Sequence, residues 1–465
     1  MHRRSAITGR EASSVSLALK PPDIRRHEAK KHNVRDKLNR MMAGPSQPLA
    51  LLLLAAATSV GSTQTTAPPT MVKQPPQEML YTVSRSHRER DSPFELECEA
   101  EGNPEPSYKW TKNGEEFNTA LLGDRIVQKP HSGSLTFIKP GNEDEGLYQC
   151  QATNPYGTSV SNAVWVRKAE MGEFASGPPK VVRATEGAPM SLECEPPVGG
   201  YPAPSLLWGI LHENGGLRKV HPWRITVDPE GRLHFSHVEL HDQVPDSVYA
   251  CVAGSEFLHE YEIVTKVRLE VEPAPSIAEL APVQQYASPS NLTALRGHNL
   301  KLYCIYGGMP LPQITWSKRG TDILTSTDRF AYGDANKTLE IKSVDFEDEG
   351  TYECLASNGV GADQTHAIDV KVESAPYWLH VPNNTVAAEG ESVQFECAAA
   401  GVPEPELQWF VNGVPIERAE PNARRKVEGP VLSIETLSRR DTAVFQCNAS
   451  NPHGYAFRDF YVNVA

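Results

Sequence analysis

With 465 residues the chain exceeds what one hydrophobic core can serve, and at roughly 100 to 200 residues per domain it calls for three or four units. Its formal net charge of −13 is unevenly spread. Residues 1–48 hold 11 Lys and Arg against 4 Asp and Glu, so the remainder holds 34 against 54, a net of −20, which argues against nucleic acid or an anionic membrane as the main partner.

In chain order, residues 1–41 read as a disordered or artefactual extension and residues 42–62 as a signal peptide. LALLLLAAA, from Leu49 to Ala57, is an apolar core preceded by Lys37 and Arg40 and followed by the small residues of TSVGS. It is too short to span a bilayer as a helix. No run of about 18 apolar residues follows it, so no membrane insertion is expected of the chain as given. Export, as a secreted protein or on the outer side of the plasma membrane, puts the cysteines in an oxidising compartment.

Eight cysteines follow, Cys98, Cys150, Cys194, Cys251, Cys304, Cys354, Cys397 and Cys447, with no close CxxC pair of the kind zinc uses. In sequence order they close intervals of 52, 57, 50 and 50 residues. Trp110, Trp208, Trp316 and Trp409 stand 12, 14, 12 and 12 residues after the first Cys of each interval, and Tyr148, Tyr249, Tyr352 and Phe445 stand two before the second. Cys, Trp, then Tyr-x-Cys is the pattern of an immunoglobulin sandwich, in which the Trp packs on an inter-sheet disulfide. Four copies predict an all-β chain of four tandem immunoglobulin-like (I-set) sandwiches with the cysteines paired in sequence order. The expected domains are residues 71–168, 173–271, 281–373 and 374–465, with 272–280 as a linker.

Strand patterning agrees. Phe94, Leu96 and Cys98 alternate with Glu95, Glu97 and Glu99, and Val393, Phe395 and Cys397 with Gln394, Glu396 and Ala398, which is period two with one buried face. Asp144, Asp348 and Asp441 each lie six residues before the second Cys, with Arg125, Arg329 and Arg424 or Arg425 upstream. In domains of this kind such a pair bridges the bottom of the sandwich, an ion pair worth about 1 kcal/mol. The second repeat breaks the pattern, with Pro245 at the Asp position and Asp246 after it, so no bridge to Arg224 is expected there. Phe445 lacks the corner hydroxyl.

From the last Cys of one repeat to the first of the next the spacing is 44, 53 and 43 residues. The extra residues of the middle connection lie in the proline-rich EPAPSIAELAPVQQYASPS, whereas VKVESAPYWL leads from the third repeat to the fourth with almost no slack. About ten extended residues span roughly 30 Å. That length lets the second pair of domains fold back on the first, and spacing alone equally admits a straight rod with one loose joint.

Several stretches go beyond generic spacing: EGNPEPSYKWTKNG, DPEGRLHFS at Asp228, LYCIYGGMPLPQITWSK at Leu302, EDEGTYECLASNGVG at Glu347 and AAGVPEPELQW at Ala399. Together they resemble the neuroglian family of neural cell-adhesion molecules, over residues 71–465. The resemblance implies a horseshoe, the first domain on the fourth and the second on the third. It also implies calcium-independent homophilic adhesion between cells, in axon growth and guidance. The implied partner is a second copy on an opposing cell or another immunoglobulin-superfamily protein of the cell surface. That family continues into further immunoglobulin domains, fibronectin domains, a membrane helix and a cytoplasmic tail, which this sequence does not contain. A count of four domains matches the related hemolin group, secreted proteins of insect blood that bind microbial surfaces and haemocytes.

Four N-x-S/T sequons, at Asn291, Asn336, Asn383 and Asn448, are candidate glycosylation sites. All fall in the third and fourth domains, which leaves the first two bare for protein contacts. Asn448 follows the inward-facing Cys447, so period two turns it outward. His234, His237 and His241 in HFSHVELH do not form HExxH and read as surface histidines on a strand end and loop, not as a metal site. There is no GxSxG elbow or P-loop, and GVGADQ at Gly359 lacks the third glycine of a dinucleotide turn. Ser, His and Asp are abundant, but nothing in the sequence places them together. No enzyme activity and no cofactor are expected.

Overall fold

The structure, a computed structural model, describes residues 66–83, 92–174, 177–220, 223–320 and 327–465; the expected extension and signal peptide lie outside them. Four separate hydrophobic cores follow one another along Gln64–Ala465, one for each sandwich, here D1 to D4. Each is built around one disulfide: Cys98–Cys150, Cys194–Cys251, Cys304–Cys354 and Cys397–Cys447. In every sandwich the Trp lies directly opposite the second Cys on the neighbouring antiparallel strand, as in Trp316 against Cys354. Alternation does the rest. In Gly146–Asn154 of D1 the even-numbered residues Gly146, Tyr148, Cys150, Ala152 and Asn154 are buried, so one pleated face supplies the core.

In each sandwich the first chain segment crosses to the second sheet and pairs in parallel with the last strand, for example Asn291–Leu295 with Gln364–His380 in D3. The first sandwich starts earlier than the expected Met71, because strand Ala67–Lys73 pairs with Glu99–Asn103. The expected boundary between the third and fourth domains falls within one strand. Gln364–His380 pairs with Gly350–Ser357 in D3 and runs on to pair with Ala398–Val402 in D4. Glu373 on that strand meets His453 Nε2 of D4 at 2.5 Å, and the Asn451 side chain donates to the Ser374 carbonyl at 2.8 Å. A joint made of continuous, laterally bonded strand has no linker to bend. Between D2 and D3, by contrast, residues 273–279 form no strand.

The tyrosine corner repeats in three sandwiches, with Tyr148, Tyr249 and Tyr352 each donating to an aspartate carbonyl at 2.9 Å. The aspartates are Asp144, Asp242 and Asp348, and each carries the ion pair as well: Arg125 with Asp144, Arg224 with Asp242, Arg329 with Asp348. D2 therefore does have the bridge that the sequence pattern withheld. Its aspartate is Asp242 and not Pro245 or Asp246, because three extra residues separate it from the corner tyrosine. Arg224 holds Asp242 through two hydrogen bonds, at 2.8 and 2.9 Å. In D4 the partner of Asp441 is Arg424, at 2.8 Å.

Candidate functional site at the domain contacts

The chain turns back after D2, and two contacts close the horseshoe. Between D2 and D3 the meeting segments lie in and beside DPEGRLHFS and LYCIYGGMPLPQ. Gly308 N–H donates to the Ser236 carbonyl at 2.9 Å, Ser236 Oγ to the Tyr306 carbonyl at 3.2 Å, and His237 Nδ1 to the Gly308 carbonyl at 3.0 Å. Gln285 Nε2 adds bonds to the Met190 and Phe235 carbonyls. Backbones approach this closely because residue 307 is glycine: a Cβ there would stand 2.6 Å from Pro189 and 2.9 Å from the Ser236 carbonyl. Beside these bonds lies Lys337, only 1 % exposed, whose ammonium donates to the Trp223 carbonyl at 2.9 Å and Thr226 Oγ1 at 3.0 Å. Burial lowers its pKa to about 8.

The contact between D1 and D4 joins residues about 250 to 400 apart in sequence. Strand Ala443–Asn451 and its neighbour Gly454–Val464 present Gln446, Tyr455 and Asp459 to D1. Gln446, fully buried, donates to the Val160 carbonyl at 3.0 Å, and Tyr455 OH donates to the Ala163 carbonyl at 2.6 Å. Burial pushes the Tyr455 phenol up to about 12. Asp459 Oδ2 accepts from the Met71 N–H at 2.9 Å and from Ser159 Oγ at 2.7 Å. Burial raises its carboxyl pKa in spite of those two bonds.

The closed contact therefore favours the protonated carboxyl. That contribution is fully present below the ordinary carboxylate pKa and is lost as pH rises through the raised one. Asp459→Asn, which keeps an acceptor oxygen, is expected to abolish this pH dependence. Asp459→Ala strands two donors and should weaken closure by about 1–3 kcal/mol. Hydrogen exchange at the Met71 amide measures both.

The sequence candidates distribute as follows. Asn291, Asn336 and Asn383 are exposed, whereas Asn448 is half-buried. Of the three histidines read as surface residues, only His241 is on the surface; His234 and His237 are buried, for reasons of contact and not of coordination. Among the described residues no cluster of His, Cys, Asp and Glu suited to a metal occurs. No helix of the described residues is long and apolar enough to cross a membrane.

One juxtaposition had no sequence signal: Ser191 Oγ lies 2.7 Å from His234 Nδ1, and His234 Nε2 lies 2.9 Å from Asp228 Oδ2. Ser191 and His234 are directly opposed on paired strands, and Asp228 also accepts from the Glu230 and Arg232 N–H groups and from Arg232 Nε. Burial pushes the Asp228 carboxyl up, but the bonds from His234 and Arg232 outweigh it and hold the pKa below the usual range. An aspartate committed to its own turn and to an arginine makes this a cross-strand brace that shapes the D2 face of the contact.

Comparison with known proteins agrees with the geometry. An immunoglobulin I-set domain model matches residues 284–372, and a second immunoglobulin domain model matches 68–154 and 376–451. Neuroglian of Drosophila melanogaster is 44% identical over 421 residues, 90% of this chain and 32% of that protein. The crystal structure of the insect immune protein hemolin aligns with a TM-score of 0.72 and 30% identity, over 86% of this chain and 100% of the hemolin chain. The chain belongs to the immunoglobulin superfamily. Neurofascin of Gallus gallus, another member of the superfamily, is 36% identical over 85% of this chain and 29% of its own length. The chain thus spans about a third of the length of these curated relatives. Neural cell adhesion molecule L1 of Homo sapiens, 32% identical over 85% of this chain and 31% of its own length, is a further relative, named for cell adhesion.

Proposed function

We propose that the chain is the adhesive head of a neuroglian-like cell-surface protein, mediating homophilic, calcium-independent adhesion between cells in axon growth and guidance. The observation that carries the reading is the closed double contact, D1 on D4 and D2 on D3. It is supported by the likeness to hemolin, whose domain arrangement has implications for homophilic adhesion. Bonds at both contacts give each copy a rigid face to offer, which lowers the ordering cost of association. The partner is a second copy on an opposing cell or another immunoglobulin-superfamily protein. Residues 42–62 serve as the export signal, and Asn291, Asn336 and Asn383 carry glycans that leave D1 and D2 bare.

Beads coated with the purified chain are expected to cluster in the presence of a calcium chelator. Dispersed beads under those conditions would sink the homophilic reading. A second reading is favoured by the full-length match to hemolin: a secreted immune protein that binds microbial surfaces and haemocytes. Beads that stay dispersed yet decorate bacteria would select it.

A further inference from the structure

The four sequons do not stand in equivalent places. Asn291, Asn336 and Asn383 are exposed, and each is followed two residues later by a threonine: Thr293, Thr338 and Thr385. Asn448 is followed by Ser450, and serine makes the poorer acceptor of the two. Asn448 is turned out of its own core, but onto the face that D1 covers. On its own strand Gln446, two residues back and on the same face, is fully buried and bonded to Val160 of D1. Across the ladder Asn448 pairs with Phe457, whose same-face neighbours on that strand are Tyr455 and Asp459, both bonded to D1. Three residues that grip D1 therefore surround it. Its own Oδ1 is buried with no hydrogen-bond partner.

We infer that N-glycosylation of Asn448 and closure of D1 on D4 exclude each other, so that this sequon is a modification site reserved for an open form of the chain. The inference rests on the closed arrangement and not on the adhesive reading. Glycan transfer joins Asn448 Nδ2 to the anomeric carbon of an oligosaccharide, with the bond from that carbon to a lipid pyrophosphate donor breaking and one proton leaving the amide nitrogen. The acceptor segment must be extended and free of strand partners when this happens. Asn448 thus receives its glycan before its strand is laid between Glu406–Val411 and Gly454–Val464, or not at all. Once attached, the first sugar ring alone is larger than the side chain that bears it. The D1 surface over Gln446 and Asp459 leaves it no room.

The test uses the full chain secreted from insect cells with Asn291, Asn336 and Asn383 changed to Gln, so that any lectin-binding chain is glycosylated at Asn448. Ser450→Thr raises occupancy there, and Ser450→Ala removes the sequon while keeping Asn448. The bare fraction is expected to be compact in small-angle scattering, with protected amides at Met71 and at Thr158, whose N–H donates to Asn412 Oδ1 of D4 at 3.1 Å. The lectin-bound fraction is expected to show a larger radius of gyration and loss of protection at both amides. If even Ser450→Thr gives only bare, compact chain, the closed molecule carries Asn448 unmodified, as inferred. A lectin-bound fraction as compact and as protected as the bare one overturns the inference, and so does a bare fraction that is extended.

Discussion

Replacing Cys304 and Cys354 together with alanine is expected to cost D3 about 4 kcal/mol, the loop-closure entropy of a crosslink over about 50 residues. A sandwich of this size has a total stability of about 5–15 kcal/mol, so the variant keeps about 1–11 kcal/mol and still folds. The four native loops span 52, 57, 50 and 50 residues, and the logarithmic dependence makes their contributions differ by only about 0.1 kcal/mol. Domain-specific differences must then come from what each disulfide holds in place.

D3 is the informative case. Its strand Leu300–Met309 carries Cys304 and, further along, Gly307 and Gly308, which meet D2. Loosening that strand should release the Gly308 amide from the Ser236 carbonyl, whereas removing Cys98 and Cys150 from D1 should leave it protected. Denaturant unfolding followed by hydrogen exchange separates the two effects. A D3 transition shifted by less than about 1 kcal/mol, with Gly308 still protected, would show that the Trp316 core holds the strand without the crosslink.

What the sequence revealed follows from which forces act inside one sandwich. Period-two burial, the Trp opposite the second Cys and the corner tyrosine all serve a single core, so they repeat at fixed spacing and can be counted. Counting failed at Asp242 because the spacing to the corner is seven residues there and four in D1 and D3. The corner hydroxyl fixes the aspartate in space, whatever the loop length between them.

Contacts between sandwiches obey no repeat. DPEGRLHFS and LYCIYGGMPLPQ are two of the five stretches that go beyond generic spacing, and they meet each other across D2 and D3. Their partnership was invisible because His237 and Gly308 lie 71 residues apart. Asn448 shows the same limit from the other side. Alternation states correctly that it leaves its own core, and says nothing about a domain that arrives to cover that face. Lys337, lying inside a sequon whose Asn336 is exposed, reads as a surface residue for the same reason.

Lys337 also gives the contact between D2 and D3 a pH dependence. With D2 undocked the amine titrates at its ordinary value of 10.5; with D2 docked, burial lowers this to about 8, since Asp334 favours the charge but does not offset the desolvation and the nearby Arg224 opposes it. A lysine whose folded pKa is depressed contributes stability that is full above 10.5 and is lost as pH falls to about 8. Across that window the contact is expected to change by about 3 kcal/mol, with little further change below it.

Lys337→Met fills the same space without a charge and keeps the sequon, since the middle position of Asn336-Lys337-Thr338 is free to vary. It removes the desolvation cost but leaves the Trp223 carbonyl and Thr226 Oγ1 without a donor, a loss of about 0.5–1.5 kcal/mol each. The expected result at pH 7 is a contact stronger by about 1 kcal/mol, with no gain toward pH 10. Exchange of the Gly308 amide, corrected for the intrinsic pH dependence of exchange, reads both quantities. If protection of that amide in the parent chain stays flat from pH 7 to 10, Lys337 is not the titrating group. The ammonium is bonded to a carbonyl and a hydroxyl of D2, so its desolvation cost arises only when D2 and D3 come together. The same residue that weakens the contact near neutral pH therefore ties it to the alkaline side, while Asp459 ties the contact between D1 and D4 to the acid side. The two ends of the horseshoe should loosen in opposite directions as pH is varied.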